Sequence, residues 1–180
     1  MSSGNSQRET EFGDYYVRRA PAMRATAFLL CGDWHLAEDL VQTAFTKLYL
    51  AWNRIGRHGS LDPYVRRVIL RAFLDHRRRP WRREHPTEPA ATPETAGPGD
   101  ATDDRVVLLR ALSALPARQR ATLVLRFWED QSVEECARLL GVSTGTVKSQ
   151  TARGLDKLRV ALGDARPGLS QAFADARVWS

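Results

Sequence analysis

Thr144, Thr146, Lys148, Ser149, Gln150 and Arg153 lie within one ten-residue stretch and combine hydroxyls, an amide and two cations. This is the chemistry of nucleic-acid recognition. An amide offers a paired donor and acceptor to a base edge, and cations serve guanine or phosphate. Such groups need a rigid support, and the flanking residues describe one. Ser132 begins a capping box, with Glu135 placed to reach back to it. Gly141 stands where a tight turn needs a positive backbone angle. Ser143 caps a second helix that contains Val147, Leu155 and Leu158. Small Ala137, then Gly141 four residues on, then Val147 six beyond that, is the spacing of a helix-turn-helix. The short connection forces a steep crossing and leaves the second helix proud of the surface, able to enter a major groove. An ordinary helical hairpin with a solvated polar face is the plainer alternative; the spacing and the two caps argue against it.

A second basic surface runs from Tyr64 to Arg79. Val65, Val68, Ile69, Ala72, Phe73 and His76 line one face of the predicted helix, and Arg66, Arg67, Arg71, Arg77, Arg78 and Arg79 crowd the rest. Asp62-Pro63 reads as a cap followed by a first-turn proline. Arginines along one face would follow phosphates. Tyr64, with Trp52 and Trp81, offers stacking surface for unpaired bases. A solvated helix end is an equally open reading of the arginines, and Trp52 falls on a core stripe.

The elements that must position these surfaces are helical. Phe12, Tyr16 and Ala20 recur every four residues, and Pro21 predicts a break with a new helix starting there. Gly32-Asp33 closes that helix and opens the next. Ala37, Leu40, Val41, Ala44, Phe45, Leu48, Ala51 and Trp52 then form the strongest amphipathic stripe in the chain, with Glu38, Asp39, Gln42 and Lys47 on the other face. Val106–Ala114 predicts a short helix. Leu115-Pro116 restarts the chain, Ala121, Val124, Leu125 and Trp128 form a further stripe, and Glu129-Asp130-Gln131 is a turn. No strand-like alternation appears, so the fold class is all-α.

Charge divides the 180 residues into three blocks. Residues 1–79 carry 13 Lys/Arg against 8 Asp/Glu, residues 80–104 carry 2 against 6, and residues 105–180 carry 12 against 7. The middle block is rich in Pro, Ala, Gly and Thr, the composition of a linker. The basic flanks suggest a polyanionic partner. No apolar run has the length of a membrane span, and the polar start does not resemble a signal peptide. A soluble cytoplasmic protein is therefore expected. Cys31 and Cys136 are too isolated for a zinc site or a disulfide framework and read as buried free thiols. His35, His58, His76 and His85 are scattered. With no nucleotide loop, metal-ligand spacing or nucleophile–base motif, neither enzymatic activity nor a cofactor is expected.

The order of these features resembles the extracytoplasmic-function (ECF) group of RNA polymerase sigma factors, over roughly residues 11–162. The matching strings are Ala37-Glu38-Asp39-Leu40-Val41-Gln42, Asp75-His76-Arg77-Arg78, Leu115-Pro116-Ala117-Arg118-Gln119-Arg120 and Gly145-Thr146-Val147-Lys148-Ser149. The run Arg126-Phe127-Trp128-Glu129 looks like the actinobacterial branch.

The resemblance implies two small helical domains, sigma region 2 and helix-turn-helix sigma region 4, joined by a flexible linker. The boundaries it suggests are 1–10 for a disordered N-terminus, 11–79 for region 2, 80–103 for the linker, 104–163 for region 4 and 164–180 for a tail of unknown role. Glu38, Asp39 and Gln42 would meet the β′ clamp helices of core RNA polymerase, whose β flap is a further expected contact. Tyr64, Arg66, Arg67, Arg71, Arg77 and Arg78 would serve −10 recognition and melting. Thr144, Thr146, Lys148, Ser149, Gln150 and Arg153 would read the −35 element of promoter DNA. The resemblance also admits an anti-sigma factor as a partner.

The chain departs from the group's pattern at Arg71, where Asn is common, at Gln150, where Arg is common, and at Ala152, where a larger residue is common. These positions bear on promoter sequence rather than on class. The rival reading, a helix-turn-helix regulator that acts without polymerase, leaves the helices of residues 11–79 without a task.

Overall fold

The computed structural model describes residues 3–55, 61–78 and 100–162, and among them every regular element is helical. Helices α1 (Ser3–Cys31), α2 (Trp34–Ile55) and α3 (Leu61–Arg78) form one unit; α4 (Asp100–Ser113), α5 (Ala117–Leu123), a π turn (Val124–Trp128), α6 (Val133–Leu140) and α7 (Thr144–Leu162) form the other. Residues 56–60, where Arg57-His58-Gly59-Ser60 reads as a loop, Arg79, most of the linker and the tail from Gly163 lie outside the described residues.

The break expected at Pro21 does not occur: α1 runs through it. A mid-helix proline removes one hydrogen bond and crowds the carbonyl four residues back. Here Pro21 and Val17 both face solvent. The buried residues on either side, Tyr15 before and Met23, Ala27, Phe28 and Leu30 after, hold the two halves on one core. Nor do the first ten residues lie wholly outside the fold. Residues 3–10 are helical, and the Arg8 guanidinium donates to the Tyr49 carbonyl and lies 4.3 Å over its ring. Gly32 takes a φ of +75° and ends α1, while Asp33 caps α2 by accepting from the Leu36 amide at 3.0 Å.

The α2 stripe packs largely as its periodicity predicts: Ala37, Leu40, Val41, Ala44, Phe45, Leu48 and Trp52 are buried, and Ala51 is half-buried at its edge. Phe12, Tyr15, Tyr16, Phe45, Tyr49 and Trp52 form an aromatic cluster with edge contacts such as Phe12–Trp52 at 5.4 Å. In α3, Leu70 joins Val65, Ile69 and Phe73 in the core. Cys136 is buried and Cys31 partly so; both are free, and burial pushes each thiol up to about 11.

Helix α4 starts at Asp100, six residues before the expected Val106. The stripe ending in Trp128 fails at its last member, because Trp128 is 58% exposed. The cause is the π turn. The Glu129 amide bonds to the Val124 carbonyl, five residues back, so the chain gains an extra residue and the four-residue spacing no longer keeps one face.

The two units share their apolar interior. Ala121, Val124, Leu125, Cys136, Ala137, Leu139 and Val147 belong to the same buried cluster as the core of α1–α3. A smaller cluster of Leu112, Leu115, Leu123, Leu155, Leu158 and Leu162 holds α4 and α5 against α7.

Candidate nucleic-acid interface

The helix-turn-helix forms from local bonds. Ser132 Oγ accepts from the Glu135 amide at 3.0 Å, the first half of the capping box. The expected return bond is replaced: the Glu135 carboxylate pairs with Arg138 one turn on. The Glu134 carboxyl is held below its usual range by its own backbone N–H and then by the Ser132 hydroxyl. Gly141 adopts φ +66° and ψ 42°. The Val142 amide reaches back to the Ala137 carbonyl at 3.1 Å, completing a Schellman end. Ser143 Oγ accepts from the Thr146 amide at 3.1 Å and starts α7. Val147 is fully buried and Ala137 nearly so, at the crossing of α6 and α7.

These devices turn the N-terminal half of α7 outward. Thr144, Lys148, Ser149 and Arg153 are exposed, and Thr146 and Gln150 are half-buried. Two of the hydroxyls are engaged within the helix. Thr146 Oγ1 lies 2.9 Å from Ser143 Oγ, and Ser149 Oγ donates to the Thr146 carbonyl at 3.0 Å. Lys148, Gln150 and Arg153 are the long side chains left to project from the surface. On the inner side Thr151 is buried, its hydroxyl bonded to the Val147 carbonyl at 2.9 Å. Gly154, which the motif reading passed over, is where α7 touches α5: a Cβ there would stand 3.1 Å from Leu123 Cγ. A glycine inside an amphipathic helix was the available signal.

The basic helix α3 is less uniform than its sequence. Arg67, Arg71, Arg77 and Arg78 are exposed, and Tyr64 is half-buried, packed against the core. Arg66 is withdrawn. Its Nε lies 2.6 Å from Glu129 Oε2, with the two side chains only 13% and 10% exposed. Asp62 does not serve as the expected cap, since α3 begins one residue earlier at Leu61. Its carboxylate accepts from Tyr15 Oη at 2.8 Å and pairs with Arg19. Burial first, then the Asp62 hydrogen bond and charge, push the Tyr15 hydroxyl well above the ordinary tyrosine range, and the same carboxylate raises Arg19. Nothing in the spacing of Asp62 and Tyr15, forty-seven residues apart, announces this pair. His76 faces a groove shared with Asp33, His35, Asp39, Thr43 and Asp75 rather than the deep core.

On α2, Asp39 and Gln42 are exposed, and Glu38 pairs with Arg24 at 3.2 Å, both about half exposed. No group of three or more His, Cys, Asp or Glu among the described residues could hold a metal ion, and no described helix is long and apolar enough to cross a membrane.

Two family models match the chain: Sigma-70 region 2 over residues 15–83 and Sigma-70 region 4 over residues 105–158. The RNA polymerase sigma-E factor of Streptomyces coelicolor is 40% identical over 152 residues, covering 83% of this chain and 84% of that protein. The ECF RNA polymerase sigma factor SigM of Mycobacterium tuberculosis is 30% identical over 135 residues, covering 74% of this chain and 68% of that protein. Among solved structures, the Bartonella quintana sigma factor RpoE, crystallised in complex with the anti-sigma factor NepR, superposes with a TM-score of 0.69 at 26% identity, covering 84% of this chain and 96% of that one. The helix-turn-helix, the basic α3 and these relatives agree: the chain belongs to the extracytoplasmic-function sigma factors of actinobacterial type, alternative sigma factors that direct promoter-specific transcription by RNA polymerase.

Proposed function

We propose that this chain divides promoter recognition between two helices, with α7 reading the −35 element as duplex and α3 holding the unpaired −10 strand. The domain boundaries of this reading are 11–79 and 104–163, with 80–103 as the connection, whose last four residues already belong to α4. The carrying observation is the outward face of α7. Two serine caps and a left-handed glycine fix that face, and Lys148, Gln150 and Arg153 project from it. A rigid helix with one amide and two cations suits a major groove: the amide to adenine, the cations to guanine or phosphate. Tyr64, Arg66, Arg67, Arg71, Arg77 and Arg78 would follow the −10 strand by stacking and phosphate contact.

Asp39 and Gln42, exposed opposite the buried α2 stripe, are the proposed docking groups for the polymerase clamp, with Glu38 reached once Arg24 lets go. Members of the family are regulatory subunits, and this chain works as one in the cytoplasm, without catalysis of its own. The structural neighbour's complex supports an anti-sigma factor as a partner here too.

Transcription from a promoter library with every −35 position randomised tests the assignment. Gln150→Ala should relax preference at one position, at about 1–3 kcal/mol for a good bidentate contact. Arg153→Ala should weaken all sequences alike and reduce the log–log salt slope by roughly one. Unchanged preference at every position in Gln150→Ala would remove Gln150 from the base readers.

A further inference from the structure

We infer that Glu129 is an autoinhibitory latch, closing the two units of the free chain on each other and masking Arg66 of the −10 surface. This rests on the reading of α3 as a single-strand surface and adds its regulation.

The latch is built from both sides. Glu129 sits immediately after the π turn, which carries it toward α1 and α3. One carboxylate oxygen accepts from the Thr26 hydroxyl on α1, and the other from Arg66 Nε on α3 at 2.6 Å. Both oxygens of one region 4 side chain are therefore spent on region 2. Arg66 keeps a weaker second partner, Asp62, at 3.8 Å. A pair this little exposed is not screened like a surface ion pair, and losing one partner strands the other charge. A second bond crosses beside it: Arg120 Nη1 donates to the Leu30 carbonyl at the end of α1, at 2.8 Å. Arg120 is 1% exposed, and burial first, then Arg77, lowers its guanidinium to about 10.

The closed arrangement does not suit a promoter. A compact chain of this length has a radius of gyration of roughly 16 Å. Elements centred about 25 base pairs apart are separated by roughly 85 Å along the duplex axis. The units must part before both elements are held, and parting exchanges the Glu129 carboxylate on Arg66 for nucleic-acid phosphate. Both are anions, so the same guanidinium serves either state but not the two together.

The test uses the full chain without polymerase. Small-angle scattering should show the wild type compact. Glu129→Gln should shift the closed–open equilibrium by about tenfold or more, as expected for a hydrogen-bonded charge. The affinity for a −10 single-stranded oligonucleotide should rise by a similar factor, because apparent affinity follows the open fraction. Thr26→Val, which leaves every charge in place, should move affinity the same way by less. Asp130→Asn deletes an exposed carboxylate one residue on and should leave affinity near wild type, separating latch release from a simple change in net charge. Helicity by circular dichroism confirms folding, and Thr26→Val carries the test if Glu129→Gln unfolds. An extended wild type would overturn the latch. So would unchanged affinity in both folded variants, or an equal rise in Asp130→Asn. Failure of every form to bind the single strand, even with core polymerase present, would instead overturn the −10 assignment; scattering of Glu129→Gln and Thr26→Val would still decide the latch, an expansion supporting it and wild-type compactness in both overturning it.

Discussion

The two nucleic-acid helices are positioned by opposite means. The hydrogen bonds that aim the N-terminal half of α7 each span a few residues: Ser132 to Glu135, Ala137 to Val142, Ser143 to Thr146; only its apolar inner side, with Gly154 against Leu123, leans on distant helices. The devices that hold α3 span much of the chain: Asp62 to Tyr15 and Arg19, Arg66 to Glu129. A helix whose start is fixed by neighbouring caps and a turn keeps its reading face without help from distant polar side chains. A helix held by distant side chains presents its cations only when those neighbours allow it. The first arrangement suits a duplex reader, and the second suits a surface whose availability is controlled.

Substitutions can break this contrast. The largest expected effect is at Asp62. Asp62→Ala removes the shared acceptor of Tyr15 and Arg19 and should cost about 2 kcal/mol, a hydrogen-bonded charge discounted for partial exposure. Chemical denaturation measures the cost, and −10 strand binding should suffer more than −35 duplex binding. A loss falling equally on both would show that α7 depends on long-range support as much as α3 does. A smaller effect is expected at Gly141. A Cβ there meets nothing within 4 Å, so the penalty of Gly141→Ala is backbone conformation alone, about 1 kcal/mol. Here −35 duplex binding should fall while −10 strand binding holds. An equal fall in the two would again erase the distinction.

The same contrast decides how much was legible in the sequence. The helix-turn-helix could be read almost residue by residue, because caps, a left-handed glycine and a buried Val147 are local chemistry. Only the far half of its capping box differed, where Arg138 captured Glu135. The α2 stripe was legible for the same reason: its spacing is its burial. The misreadings are cases where tertiary packing or backbone register overrode a local rule. Pro21 stays inside α1 because core contacts flank it on both sides. Trp128 leaves its stripe because a π turn adds a residue, and no period of four anticipates that. Arg66 looked like any other arginine of α3, yet its partner stands sixty-three residues away on another unit. Glu129 looked like a turn residue; its role depends on where the π turn delivers it.

Transcription by core RNA polymerase plus this chain, over a library with the −35 and −10 segments both randomised, tests the central assignment most directly. Productive templates should carry two sequence blocks. Combining Gln150→Ala with Arg153→Ala should erase or relax the upstream block while leaving the downstream block in place. Productive templates with no upstream preference, or an upstream block unchanged by the α7 substitutions, would contradict the assignment of −35 reading to α7.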